Sequence, residues 1–141
     1  MYSFRKSKKG FTLIELMVVV AIIAVLALLG LRMYSTQQTK AKIALVKANA
    51  GTVQVTIQTE LVDNPALTLT EVLDTTTLTD LNILHNPFTG AVGVGVDKAV
   101  NNVNAVTVGM VGVDYSNNQF IITGYEVGGA IIGNYTLTAQ P

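Results

Sequence analysis

The feature that most constrains this chain is a nearly continuous apolar run, from Phe11 to Leu31, that contains one acidic residue, Glu15. As an α-helix the run would be about 31 Å long, which is the thickness of the hydrocarbon core of a bilayer. Apolar residues occur on every side of such a helix, so the pattern does not indicate an amphipathic surface helix. The sequence therefore predicts a membrane-spanning helix.

The charges before the run predict its orientation. Residues 1–10 contain four basic side chains and no acid: Arg5, Lys6, Lys8 and Lys9. Basic flanks stay on the cytoplasmic side, so we expect the N-terminus in the cytoplasm and the bulk of the chain outside. A cleavable secretory signal and a simple single-pass anchor are the alternatives, and the apolar region of a secretory signal is shorter than this one.

Glu15 counts against a simple anchor. A carboxylate at the centre of a bilayer costs roughly 2.5–3.5 kcal/mol, and less near the interface. One interpretation is that Glu15, close to the start of the run, reaches the lipid headgroups. The other is that it pairs with a positive charge at the same depth on another molecule. A new α-amine on Phe11, made by cutting the chain after Gly10, would supply that charge.

Residues 8–27, KKGFTLIELMVVVAIIAVLA, resemble the N-terminus of bacterial type IV pilins and of the related pseudopilins. The resemblance implies that prepilin peptidase cleaves between Gly10 and Phe11 and methylates the new amine of Phe11. It also implies that Glu15 pairs with the N-terminus of a neighbouring subunit during assembly. The fold that it implies is α+β: the type IV pilin fold, with a long N-terminal helix packed on a roughly four-stranded antiparallel sheet.

The sequence departs from the pattern of this family at two points. Many members carry a proline where this chain has Arg32, so the sequence leaves open whether the helix melts near Gly30–Arg32. Many members also close a C-terminal loop with two cysteines, whereas this chain has no cysteine.

Four segments are predicted along the chain. They are a cleaved basic leader at 1–10, a transmembrane and filament-core helix at 11–31, an amphipathic continuation of that helix at 32–62, and a globular head at 63–141. In the continuation, five apolar residues fall on one helical stripe: Val46, Ala50, Val53, Ile57 and Leu61. The alternation in TVQVTI at 52–57 makes a short strand the alternative there. The sequence VDNP at 62–65 predicts the end of the helix.

In the head, Thr68 and Glu71 have the spacing of a helix capping box. TLTDLNIL at 77–84 indicates a further turn, and HNPFTG at 85–90 indicates a loop. Four β-strands are predicted beyond it, separated by the turn-like segments 97–102, 114–118 and 128–129. The strand candidates are AVGVGV at 91–96, AVTVGMVGV at 105–113, NQFIITGYEV at 118–127 and AIIGNYTLTA at 130–139.

The sequence contains no set of residues that could form a catalytic site, so the chain is not expected to be an enzyme and no cofactor is expected. His85 is the only histidine, and without cysteine no second soft ligand or nucleophile–base pair is available.

Calcium binding in the loops DKAVNNVN and DYSNNQ is an alternative to their simpler role as turns. Asn134 begins a glycosylation sequon inside a predicted strand. An acidic C-terminal part argues against binding of nucleic acid.

The expected function is that of a structural subunit, a major pilin, which polymerises with copies of itself into a type IV pilus. The precursor would lie in the inner membrane, and its partners there would be prepilin peptidase and the assembly platform. The pilus would be extracellular after assembly. The alternatives are a pseudopilin of a type II secretion or DNA-uptake machine, and a minor pilin with an adhesive role.

Overall fold

The computed structural model describes residues 10–74, 79–95, 98–102, 107–126 and 129–140, with the backbone alone at 79 and 133–135. The chain divides into two compact units, Met1–Gln38 and Thr39–Pro141. The described part of the first unit is the beginning of one long helix, α1, which extends over Leu13–Asp63. Its residues are predominantly Leu, Ala, Ile, Met and Val, of which Leu, Ala and Met favour a helix and the β-branched Ile and Val favour it less.

In the second unit, α1 buries one stripe of side chains, and the prediction of this stripe is confirmed. Its members are Val46, Ala50, Val53, Ile57 and Leu61. TVQVTI at 52–57 is helical, so the alternative of a strand there is wrong. The helix ends at Asp63, two residues before Pro65, as the sequence VDNP predicted.

Two short helical segments follow α1. The helix α2 is Leu69–Val72, with Thr68 as its N-cap and Glu71 completing the predicted capping box. A 3-10 helix, Thr79–Ile83, lies where the sequence indicated a further turn. Residues 87–89 form a turn within the predicted loop HNPFTG.

Among the residues that the structure describes, the sheet has four strands in the order β1-β2-β3-β4. Their bounds are Val100–Asn102 for β1, Val111–Ser116 for β2, Gln119–Tyr125 for β3 and Ile131–Ala139 for β4. Strands β2, β3 and β4 pair in antiparallel fashion, and a bulge between Thr123 and Tyr125 interrupts the register of β3 with β4. The α+β class and the strand number are therefore confirmed.

The prediction of a wholly antiparallel sheet is wrong at one edge. Strand β1 pairs with β2 in parallel, and Val100 lies opposite Val111, so both strands begin at the same end of the sheet. Antiparallel neighbours can be joined by a tight hairpin turn, whereas parallel neighbours need a longer connection. The sheet is mixed.

The first strand also lies elsewhere than predicted. Among residues 91–95, the part of this segment that the structure describes, only single bridges form, at Val92 and Val94. Gly93 and Gly95 have φ angles of 87° and 134°, a backbone conformation that no strand uses. The strand forms instead at Val100–Asn102, within a predicted turn, because Val100 is fully buried there.

The core of the second unit lies between α1 and the sheet. Inward-facing side chains of β2 and β3 join the buried stripe of α1 in one hydrophobic cluster: Val111, Val113, Phe120 and Ile122. Two side chains of α1 add polar links, because Asn49 Nδ2 donates to the carbonyl of His85 and Gln54 Nε2 donates to that of Thr138, both at 2.8 Å. These bonds link the second half of α1 to the segment at His85 and to β4.

Asn86 is a buried polar residue at the centre of the loops of the second unit. Its Nδ2 donates to the carbonyls of Lys98 and Val108 at 3.3 and 2.8 Å. Its Oδ1 accepts hydrogen bonds from the backbone N–H groups of Phe88 and Thr89 at 2.9 and 3.2 Å. One fully buried amide therefore connects three separate loop segments, which offsets the cost of its burial.

Candidate functional site at the start of α1

The residues singled out by sequence lie together where α1 begins. Gly10 and Phe11 precede the helix, and Glu15 lies in its first turn. Residues 1–9 of the predicted leader 1–10 lie outside the described part of the chain. The helix begins at Leu13 because Thr12 provides a side chain suited to the N-cap position.

Thr12 and Glu15 form a reciprocal capping box. The backbone N–H of Thr12 donates to Glu15 Oε2 at 2.8 Å, and the Thr12 hydroxyl donates to the same oxygen at 2.7 Å. In return, the backbone N–H of Glu15 lies 3.3 Å from Thr12 Oγ1. These bonds satisfy donors at the helix start that have no partner inside the helix.

This box gives Glu15 a partner within its own chain, which the sequence reasoning missed. The T-x-x-E spacing that identified Thr68 and Glu71 as a cap is also present at Thr12 and Glu15. Both donors of Thr12 use Oε2, so this cap does not use the second oxygen, Oε1. The carboxylate therefore has capacity for another donor without losing its helix cap.

The predicted cleavage point and the carboxylate share one surface. A shallow concavity is lined by Gly10, Phe11, Thr12 and Glu15. The Phe11 side chain is 88% exposed. A positive charge created on the Phe11 nitrogen would therefore arise on the same surface as the Glu15 carboxylate.

The first unit leaves its apolar side chains uncovered. Every large apolar residue from Leu13 to Leu31 has between 52% and 77% of its surface exposed. This area is apolar on all sides of the helix, and an exposed apolar surface of this extent marks a site of contact with lipid or protein. By length and composition α1 is the one helix among the described residues that could cross a membrane, a test that a signal sequence near an N-terminus also passes.

The helix continues without a break through Gly30–Arg32, where the resemblance to type IV pilins left open whether it melts. Residues 30–36 are all helical. The hydroxyls of Ser35 and Thr36 both donate to the carbonyl of Arg32, at 3.0 and 3.1 Å. Such bonds back to the preceding turn are typical of serine and threonine inside helices, and they reduce helix stability slightly.

The other candidates from the sequence have structural roles or lie partly outside the described residues. His85 is exposed, and its carbonyl accepts the bond from Asn49. Asn117 and Asn118, in the loop considered for calcium, have φ angles of 53° and 61° and form the β2–β3 hairpin turn. The loop DKAVNNVN lies partly outside the described residues, as does the Asn134 side chain. Within the described ranges, no three His, Cys, Asp or Glu residues cluster as metal ligands would.

A comparison with known protein families identifies this region. Residues 5–31 match the family model described as the prokaryotic N-terminal methylation motif. The chain carries the N-terminal signature of type IV pilins and pseudopilins. The matched range includes the predicted cleavage point, the Thr12–Glu15 cap and the exposed apolar part of α1.

For the residues after 31, the comparisons with known proteins add nothing to what the structure shows. No curated protein and no solved structure is similar enough to the chain to count as a match. The methylation motif together with the apolar helix fits a membrane-anchored precursor, and the motif implies processing by prepilin peptidase and pilus assembly.

Proposed function

We propose that the chain is a major pilin, a structural subunit that polymerises into a type IV pilus filament. Removal of residues 1–10 and N-methylation of Phe11 would precede assembly. The observation that carries the proposal is the methylation motif at the start of a helix whose large apolar residues from Leu13 to Leu31 are each more than half exposed in the described structure. Such a helix needs an apolar environment both before and after it leaves the membrane.

Polymerisation supplies that environment. Burial of one large apolar side chain contributes about 1.5–3 kcal/mol, and the segment presents many of them. Bundled helices of neighbouring copies would replace the lipid as the partner of these side chains. The inner membrane is then the location of the precursor, and the extracellular filament is the location of the assembled subunit.

In this scheme Glu15 gains a second partner after cleavage. Before cleavage it caps its own helix through Thr12. After cleavage, the Phe11 amine of a neighbouring copy provides a cation for the same carboxylate. A charge-assisted hydrogen bond is roughly twice as strong as a neutral one, and its strength increases where water is excluded. Pairing with the amine would therefore favour the assembled state.

Three sets of partners follow from this function: prepilin peptidase, which cleaves and methylates; an assembly platform in the inner membrane; and other copies of the chain. The mostly acidic C-terminal part, in which Lys98 is the only basic residue after Lys47, does not favour nucleic acid as a further partner.

Electron microscopy and mass spectrometry of filaments sheared from cells that express the chain test this proposal. We expect the chain to be the principal component of the filaments, and its mature form to begin at N-methylated Phe11. An assembled chain that still begins at Met1 would contradict the processing step. A chain present only in trace amounts would instead support a minor pilin or a pseudopilin.

A further inference from the structure

The helix α1 carries a positive charge at the point where its apolar run ends. Arg32 directly follows Leu31, and no acidic residue occurs between Glu15 and Glu60. The residues three or four positions from Arg32 on the helix are all uncharged: Leu28, Leu29, Ser35 and Thr36. The Arg32 guanidinium, which has five N–H donors and no acceptor, therefore has no ion-pair partner among its helix neighbours.

Arg32 lies in a shallow surface concavity that combines apolar and charged side chains. The residues that line it are Leu28, Leu29, Leu31, Arg32 and Ser35. The three leucines are between 62% and 69% exposed, and Arg32 is exposed as well. The concavity thus presents an apolar surface next to a cation. A phospholipid has the complementary pair of groups, an acyl chain next to a phosphate.

The length of the apolar run predicts the depth of Arg32 in a bilayer. The run from Phe11 to Leu31 is about 31 Å long as a helix, so Arg32 would lie where the hydrocarbon core meets the headgroups. Helical side chains lean toward the helix N-terminus, which directs the stem of Arg32 back over the apolar run. Tyr34, 64% exposed, lies within the same turn, and tyrosine is enriched at membrane–water interfaces. In the precursor, Arg32 would therefore meet lipid headgroups.

We propose that Arg32 binds the phosphate of an anionic phospholipid in the leaflet that faces away from the cytoplasm, with the acyl chain of that lipid on Leu28, Leu29 and Leu31. A guanidinium can donate two parallel hydrogen bonds to one phosphate. An anionic lipid is favoured over a zwitterionic one because it has no cation of its own to compete for the phosphate. The inference rests on the membrane location of the precursor, which belongs to the proposed function, and it adds a ligand to that function.

The contact would hold α1 at one depth in the bilayer before assembly. It would have to break when the subunit leaves the membrane, so it acts on the precursor and not on the filament. Many type IV pilins carry a proline at the position of Arg32, as noted above, and a proline offers no donor to a phosphate. The lipid contact is therefore a property of the residue that this chain has at that position.

Tryptophan fluorescence of the full-length precursor in vesicles tests the contact. The chain has no tryptophan, so Tyr34→Trp introduces a single reporter two positions from Arg32. The vesicles contain equal parts of phosphatidylglycerol and phosphatidylcholine, and a small fraction of either lipid carries a nitroxide quencher near its headgroup. The ratio of the two quenching efficiencies measures which lipid is enriched beside the reporter.

We expect phosphatidylglycerol to be favoured about fivefold in the reporter chain, the effect of one basic residue at a membrane surface. With Arg32→Gln in the same background the ratio should fall to about one, because the amide has no charge. The matched control, Lys98→Gln, removes one positive charge from the second unit and should leave the preference unchanged. Equal ratios with and without Arg32→Gln would overturn the proposal.

Filament yield tests the competing partner, an acidic side chain of a second copy. If Arg32 contacts lipid in the precursor, Arg32→Gln should assemble as well as the unmodified chain. A yield that falls about tenfold for Arg32→Gln and not for Lys98→Gln, in a chain that shows no preference for phosphatidylglycerol, would identify a protein carboxylate as the partner and overturn the lipid contact.

Insertion and assembly separate this inference from the proposed function. Flotation of the vesicles shows whether the reporter chain inserts. If the chain inserts, is processed and forms filaments but shows no preference between the two lipids, the lipid inference alone is wrong. If it does not insert, the membrane location of the precursor and the lipid contact are both wrong.

Discussion

The Thr12 hydroxyl lies 2.7 Å from Glu15 Oε2, and the two residues cap α1 reciprocally. An equivalent pair occurs at α2, where the Thr68 hydroxyl lies 2.7 Å from Glu71 Oε2. The chain therefore contains two capping boxes of the same kind, one at the start of α1, where we propose that copies pair, and one at the start of α2 in the second unit. The second pair provides an internal control for changes at the first.

The first prediction concerns Glu15→Gln. Glutamine at the third helical position still completes a capping box, so helix formation at Leu13 should be retained while the negative charge is lost. Assembly should fall roughly tenfold because the neutral amide cannot form the charge-assisted bond with a neighbour's amine. The measurement is filament yield, with membrane insertion and leader cleavage followed in parallel.

The control for this change is Glu71→Gln, the same substitution in the second capping box. Its filament yield should equal that of the unmodified chain. Normal filament yield from Glu15→Gln would show that the carboxylate acts only as a helix cap and would refute the pairing role.

A second prediction concerns the pH dependence of the α2 cap. Hydrogen bonds from the side chain and then the backbone of Thr68 lower the pKa of Glu71 below its ordinary value. The contribution of the Glu71 charge to stability is therefore complete above that ordinary value and is lost as the pH falls through the lower folded-state pKa. The difference in urea midpoint between the unmodified chain and Glu71→Gln should be largest at neutral pH and should vanish in acid. A difference that grew as the pH fell would contradict the assignment.

A third prediction concerns Asn86→Ala. The change removes two donor and two acceptor contacts and leaves the carbonyls of Lys98 and Val108, which are partly buried, without this partner. We expect the free energy of unfolding of the head to decrease by about 3 kcal/mol. Urea unfolding in detergent, followed by near-ultraviolet circular dichroism of the tyrosines, measures this. The control, Gln58→Ala on the exposed side of α1, should change the free energy by less than about 0.5 kcal/mol.

The fourth prediction compares one substitution at two glycines. At Gly51, inside α1, an added Cβ has no neighbouring atom within 4 Å, so Gly51→Ala should stabilise the unassembled chain by about 0.5–1 kcal/mol. Gly109 has a φ of 78°, and a Cβ there would lie 2.4 Å from Phe88 Cδ2 and 2.5 Å from Asn86 Oδ1. Gly109→Ala should therefore destabilise the head by several kcal/mol. The same unfolding measurement should give opposite signs, and equal signs would contradict this account of the Asn86 loops.

Several features of the fold were predictable because they depend on short-range pattern. The buried stripe of α1 follows from a spacing of three and four residues, and the end of the helix follows from Pro65. The α2 cap follows from the T-x-x-E spacing. The same rule, applied to Thr12, would have identified the cap that includes Glu15.

The edge of the sheet was not predictable from the same rules. Alternating valines at 91–96 favoured a strand, but the glycines among them adopt positive φ. Val100 is buried in the core instead, and β1 pairs in parallel with β2. Pairing depends on which segments meet across the core, and that information is not contained in the alternation of one segment.

The sequence by itself determined the N-terminal part of this protein: the basic residues before the apolar run, the apolar helix, the Thr12–Glu15 cap and the methylation motif. These are local properties, because each depends on residues within one or two helical turns or on the polarity of a single continuous segment. Only the tertiary structure decided the mixed sheet, the position of β1 and the connecting role of Asn86. Those features arise from contacts between residues distant in sequence, where burial and hydrogen-bond satisfaction in three dimensions outweigh local preference.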